Sequence, residues 1–166
     1  MQLDHYSSKF IPREFSIILV SDNISNAPNL GSLFRTSDTF GIQKLILCGE
    51  QIHLGRKMAK TSRATEKVVP YELSASAFET IQTLKQQGFY IISLEITEQS
   101  SPVHTISFNQ DQPIALVIGD ENFGIDDRIL NTSDAIIHIE MFGRNSSMNV
   151  VQAANIALYE ITKQLM

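Results

Sequence analysis

The sequence has a single cysteine among its 166 residues, which excludes an intrachain disulfide framework. A reducing, cytoplasmic setting is therefore expected, and Cys48, inside the apolar run Lys44–Cys48, reads as a core residue. No apolar run approaches the ~20 residues needed to cross a bilayer. The first thirteen residues carry Asp4, His5, Lys9 and Pro12 and lack the hydrophobic centre of a secretory signal. A soluble protein without membrane contact is expected. Positive charge is also short: 13 Lys and Arg stand against 18 Asp and Glu, for a net charge of -5. That balance argues against a generally basic nucleic-acid binder while leaving room for a local basic face. Both common nucleotide fingerprints are missing, since the first apolar run leads into Ser21–Gly31 without Gly-x-Gly-x-x-Gly, and no Gly-Lys-Ser/Thr occurs. His5, His53, His104 and His138 lack ligand spacing and a cysteine partner, so no metal site is expected.

What is present is 43% hydrophobic residues, enough for one core without disulfides or metals. A short extension, residues 1–14, precedes a single domain, residues 15–166. Ile/Leu/Val-rich runs at Phe15–Val20, Lys44–Cys48, Phe89–Leu94, Ile114–Ile118 and Ala135–Ile139 read as buried parallel strands. Helical spacing appears at Leu30–Phe40, with Leu33, Phe34 and Phe40 inward, and at Ala75–Gln87, with Phe78, Ile81 and Leu84 inward. Ser74 is the expected N-cap of the second and Gly88 its C-cap. A last helix from about Asn149 carries Val150, Ala153, Ala154, Ala157, Leu158 and Ile161 on one stripe. The alternation predicts an α/β fold, a mostly parallel sheet with helices on both faces. Ligands are expected at loops leaving the carboxyl ends of strands: residues 22–35, 119–124 and 140–149.

Between Arg56 and Lys67, five cations, Arg56, Lys57, Lys60, Arg63 and Lys67, face the single acid Glu66. By residue type this is either a solvated surface or a phosphate-binding patch, where each contact would make binding salt-dependent.

The three loops share a further property. Asn29-Leu-Gly31-Ser-Leu-Phe-Arg35-Thr-Ser-Asp-Thr-Phe-Gly41, Leu116-Val-Ile-Gly119-Asp-Glu121-Asn-Phe-Gly124-Ile and Ile139-Glu-Met141-Phe-Gly143-Arg-Asn-Ser-Ser147-Met-Asn149-Val resemble, in order, the three motifs of the SpoU (TrmH-like) RNA 2'-O-ribose methyltransferases of the SPOUT superfamily. The resemblance implies a C-terminal deep trefoil knot, an exception to the rule against threaded chains. It also implies S-adenosyl-L-methionine as cofactor and a homodimer built around the knotted helices. By similarity, Leu94, Gly119, Ile139, Met141, Gly143, Ser147 and Met148 would bind the cofactor. Arg35, Asn29, Glu121, Ser147 and Asn149 would serve catalysis. A guanidinium is effectively always protonated, so Arg35 is better suited to binding a phosphate than to removing a proton.

Arg35, with Arg56, Lys57, Lys60 and Arg63, would contact structured RNA, tRNA or rRNA, with tRNA the favoured of the two. Taken as residue types, Asn29, Asn149 and Ser147 read equally well as helix caps, and Glu121 as a surface acid. The motifs depart from the family at Asp120, where Asn is frequent, at Glu140, where Pro is frequent, and at Met148, where Leu is usual. Glu140 adds a charge beside the expected cofactor loop. It keeps open a second reading, an RNA-binding knot protein without catalysis. Larger relatives carry an N-terminal RNA-binding domain, so the chain reads as a minimal catalytic domain.

Overall fold

The structure is a computed structural model that describes residue 8 and residues 10–166. The expectations for residues 1–7 and 9 of the extension lie outside the described residues. The elements run β1 (Phe15–Asp22), α1 (Ala27–Thr39), β2 (Ile42–Cys48), α2 (Arg56–Ser62), β3 (Tyr71–Ser74), α3 (Ala77–Gln86), β4 (Tyr90–Leu94), β5 (Ser101–Pro102), β6 (Ile114–Gly119), α4 (Asp127–Thr132), β7 (Ala135–His138) and α5 (Val150–Leu165). The strands form one sheet in the order β3-β2-β1-β6-β4-β7-β5. Every pairing is parallel.

Strand periodicity divides the core into two layers. In β1, Ile17 and Leu19 point to the face covered by α1, α2 and α5, while Ile18 and Val20 point to the face covered by α3 and α4. Both faces are buried, so the central strands read as unbroken apolar runs. Each such side chain taken from water stabilises the fold by about 1.5–3 kcal/mol before entropy is counted. Cys48 lies in the second layer with no exposed surface, and burial pushes its thiol pKa up to about 11.

Helix ends are set by local chemistry. The Asn26 side chain accepts from the Asn29 amide, and Pro28, whose fixed φ suits a first turn, starts α1 three residues earlier than the apolar spacing suggests. Asn29 is thus inside the helix and is not its cap. Ser74 is not the cap of α3 either: it ends β3, and Ser76 accepts from the Glu79 amide. At the other end Gly88 has φ +90°, with Gly88 N–H donating to Lys85 O and Phe89 N–H to Leu84 O, the paired bonds of a Schellman turn just past the cap residue Gln87.

Strand β7 lies between β4 and β5 in the sheet, and after it the chain returns through α5, which packs on α1, β4 and β6. The neighbours β1 and β6 are followed by helices on opposite faces, α1 on one and α4 on the other. Their carboxyl ends therefore form a switch point, where doubly wound sheets open a crevice.

Candidate active site

The carboxyl ends of β4, β6 and β7, together with the loop before α5, enclose a cavity of about 640 Å³. Of the expected cofactor residues, Leu94, Gly119, Ile139, Met141, Ser147 and Met148 line it, and Gly143 does not. Gly143 is exposed with open space on its side-chain face. Its place in the motif is a loop position one step beyond the wall. Gly119 is needed for packing: a Cβ there would lie 2.4 Å from the carbonyl carbon of Gly124, so only glycine lets the turn at 120–124 fold back over the strand end.

Residue 120 holds that turn together. The Asp120 carboxylate accepts from the Asn122 amide at 2.8 Å and the Phe123 amide at 3.2 Å, and Gly124 N–H returns to Asp120 O at 2.8 Å. An asparagine Oδ1 could accept the same two bonds, which is why this departure leaves the turn intact.

At the lip of the cavity the three motifs meet. Asn149 Nδ2 donates to Glu121 Oε1 at 2.9 Å and to Asn29 Oδ1 at 3.2 Å, and Asn29 Nδ2 donates to Glu121 Oε1 at 3.3 Å. Asn149 Oδ1 meanwhile accepts from the Val151 and Gln152 amides, so Asn149 is both the cap of α5 and a member of the cluster. The two readings of that residue are the same arrangement. Ser147 is exposed beside the cluster on the cavity wall. The fifth expected member is elsewhere: Arg35 is exposed and does not line the cavity. It follows Asn29 by six residues, about 9 Å along the axis and 120° around it. It shares the side of Gly31, against which α2 packs. Within one chain, Glu121 therefore pairs with Asn29 and Asn149 rather than with Arg35.

Residues outside the three motifs complete the wall. Glu95 Oε2 accepts from the Ile125 amide at 3.2 Å and Oε1 from the Ile96 amide at 3.0 Å, which braces the turn against β4. His138 lines the cavity with Nδ1 2.9 Å from Ser100 Oγ. Glu95 directly follows an expected strand end, a position that signals a ligand-facing residue. Nothing in the local sequence marks His138. Glu95, Asp120, Glu121 and Asp127 line the cavity, and no Lys or Arg does among the described residues. Glu140 adds nothing to this acidity. Its carboxylate lies 3.8 Å from His104 Nε2 and is not part of the wall, because alternate residues of the extended segment, Ile139 and Met141, take the inward positions. Among the described residues no group of His, Cys, Asp or Glu could hold a metal ion, and no helix is long and apolar enough to cross a membrane.

The basic segment forms α2 and the turns after it. Arg56, Lys57, Lys60 and Arg63 are all exposed, and none takes part in an ion pair among the described residues. Glu66, the acid among them, accepts from Ser62 Oγ, a bond that is the main cause of its lowered pKa, with the charge of Lys67 adding to it. The helix is pressed onto α1 at Gly31, where a Cβ would lie 2.4 Å from Met58 O.

Comparison with known proteins shows what the chain is similar to. The model of the SpoU rRNA methylase family matches residues 16–159. A putative TrmH family tRNA/rRNA methyltransferase of Staphylococcus saprophyticus is 28% identical over 152 residues, which is 91% of this chain and 60% of the relative. The chain thus spans about three fifths of the length of that relative. The structure of the A. aeolicus TrmH/SpoU tRNA modifying enzyme superposes with a TM-score of 0.81 at 26% identity, covering 92% of this chain and 76% of that one. An AdoMet-bound rRNA methyltransferase from Sinorhizobium meliloti shares the fold with a TM-score of 0.85 at 23% identity, covering 95% and 59%. With the family model spanning nearly all of the sheet and its helices, the chain belongs to the SpoU methylase family.

Proposed function

We propose that this chain is an S-adenosylmethionine-dependent methyltransferase that modifies a ribose 2'-hydroxyl of structured RNA, tRNA in preference to rRNA, and that it works as a homodimer. The observation that carries this reading is the convergence of Asn29, Glu121 and Asn149, from three distant segments, on the lip of one cavity. When bound, S-adenosylmethionine supplies an electrophilic methyl group on a sulfonium. The acidic lining of Glu95, Asp120, Glu121 and Asp127 favours a cationic ligand. Leu94, Ile139, Met141 and Met148 offer apolar surface for a purine, and backbone groups of the same loops read its edge.

Asn29, Glu121 and Asn149 hold one another in fixed rotamers, so the hydroxyl they position is presented without reorganisation. Positioning of this kind contributes much of the rate of a bimolecular transfer. Arg35 and the cations of α2 lie on the other side of α1 and supply phosphate contacts, in the same chain or across a dimer. The face of α5 that carries Ile156 and Tyr159 outward, 43% and 63% exposed, is the surface offered to a second copy. The reading as an RNA binder without catalysis rested on Glu140, and that side chain points to His104 and away from the cavity wall.

The test is methyl transfer from labelled cofactor to bulk small RNA by the full chain and by Glu121→Ala. Transfer that falls by about 100-fold in the variant, the cost of roughly 1 Å of misplacement, while cofactor affinity holds, supports the assignment. Full activity in the variant removes the cluster from the mechanism.

A further inference from the structure

A second cavity, of about 700 Å³, opens on the opposite side of the 120–124 turn, where Asp22 ends β1 and Asp120 follows β6. This is the switch point of the sheet, and only the 120–124 turn of the second motif reaches it; the rest of the wall comes from residues 22, 23, 25, 49–52, 75 and 126. Asp120, Asn122, Phe123 and Gly124 line both cavities, so a group held in the second lies one turn away from the cluster around Glu121.

The chemistry of its walls narrows the occupant. Phe123 is 91% exposed and is carried by a turn whose backbone is locked by the Asp120 carboxylate, so its ring stands at the rim as an uncovered aromatic surface. The far wall is equally rigid: Asn23 (φ +58°) donates its N–H to Cys48 O at 2.9 Å and Gly49 (φ +139°) to Ser74 O at 2.9 Å. Three of the four carboxylates are committed to the fold. Asp22 accepts from Asn23 Nδ2 and the Asp126 amide, Asp120 from its own turn, and Asp126 from Arg128. Glu50 alone has no hydrogen-bond partner among the described residues. Among the described residues no cation lines the cavity, which disfavours a phosphate, and no group of side chains could hold a metal. A flat, uncharged ring with hydrogen-bond donors on its edge fits these walls. Proteins read RNA bases in this way, by stacking an unpaired base on an aromatic side chain and bonding its Watson–Crick edge.

We propose that the second cavity holds an unstacked guanine of the RNA substrate, next to the methylated nucleotide, with its ring on Phe123 and its N1–H and N2–H donors on the Glu50 carboxylate. The proposal rests on the RNA reading above and adds a selectivity to it. The recognition is non-covalent. The anionic Glu50 accepts, the neutral base donates, and no proton changes owner.

The test measures fluorescence anisotropy of labelled single-stranded oligouridylate carrying one central guanine or one central inosine, which lacks the N2 amino group, with the full chain. The guanine oligonucleotide is expected to bind at least fivefold tighter than the inosine one, a preference lost in Glu50→Gln. Phe123→Ala is expected to weaken binding about tenfold, within the range for loss of one stacked base. Both residues are exposed, so neither variant endangers the fold. Equal affinity for guanine and inosine, or an unchanged affinity in Phe123→Ala, overturns the proposal. Selective binding by a protein that methylates no RNA would overturn the catalytic reading and leave the pocket. Methyl transfer untouched by both substitutions would do the reverse.

Discussion

Gly31→Ala tests how the first motif connects to the basic helix. An alanine Cβ at this position would lie 2.4 Å from Met58 O, 2.7 Å from Thr61 Cβ and 2.9 Å from Ser62 N, where ordinary contact begins near 3.4 Å. Met58 O and Ser62 N are backbone atoms of α2, so no rotamer change relieves the clash and α2 must retreat by about 1 Å. Overpacking of this kind costs about 1–3 kcal/mol. Alanine recovers about 1 kcal/mol through helix propensity. With three atoms inside 3 Å the clash belongs at the upper end, for a net loss of about 2 kcal/mol. In a chain of this size that lowers Tm by roughly 4–8 °C, measurable by calorimetry. Because α2 carries Arg56, Lys57 and Lys60, its retreat should also raise KM for RNA while S-adenosylmethionine affinity, set by the cavity beyond α1, stays unchanged. A variant as stable as the parent, or more stable, would refute the packing argument, since propensity alone favours alanine.

Other expectations follow from particular contacts. Asp120→Asn should keep stability and cofactor affinity, whereas Asp120→Ala, which loses the acceptor of the Asn122 and Phe123 amides, should lose about 1 kcal/mol and weaken cofactor binding in calorimetry. Asp22 is buried and its pKa is raised chiefly by that burial. A carboxyl with a folded pKa above its unfolded value gives most to stability in acid and loses that share as pH rises through the folded value. The stability of the parent relative to Asp22→Asn should therefore fall from pH 4 to neutrality in urea titrations, and a rising difference would contradict the burial argument. Cys48, with its thiol pushed up to about 11 and fully enclosed, should react with thiol reagents only as fast as the protein opens. Tyr159→Lys, on the exposed side of α5, should shift the sedimentation of the proposed dimer to that of a monomer, and an unchanged assembly would place the interface elsewhere.

The legible parts of the sequence were those that bury a continuous or periodic apolar pattern. The five long strands and the stripes of α1, α3 and α5 are of that kind, with shifts of a few residues at their ends. In β3, Tyr71, Glu72 and Leu73 are exposed at the sheet edge, so no buried run marks it, and β5 is two residues long. The α2 helix buries only Met58 and Ser62, and its cations read as a charge run because they are solvated on the remaining sides. Pro28 looked like loop and is the first turn of α1. The site divided in the same way. Motif residues that touch the cavity were legible, whereas Gly143 lies beyond it, Arg35 is turned away by helix geometry, and the partners Glu95 and His138 are set by strand ends that meet only in the fold.

The central claim is that Asn29, Glu121 and Asn149 present a ribose hydroxyl to a cofactor in the adjoining cavity. Mass spectrometry of nucleosides from RNA treated with the full chain and isotopically labelled S-adenosylmethionine tests it most directly. The label should appear on ribose as 2'-O-methylnucleoside and should be lost with Glu121→Ala. Label on a base, or no label in RNA when the cofactor is bound, would contradict the account.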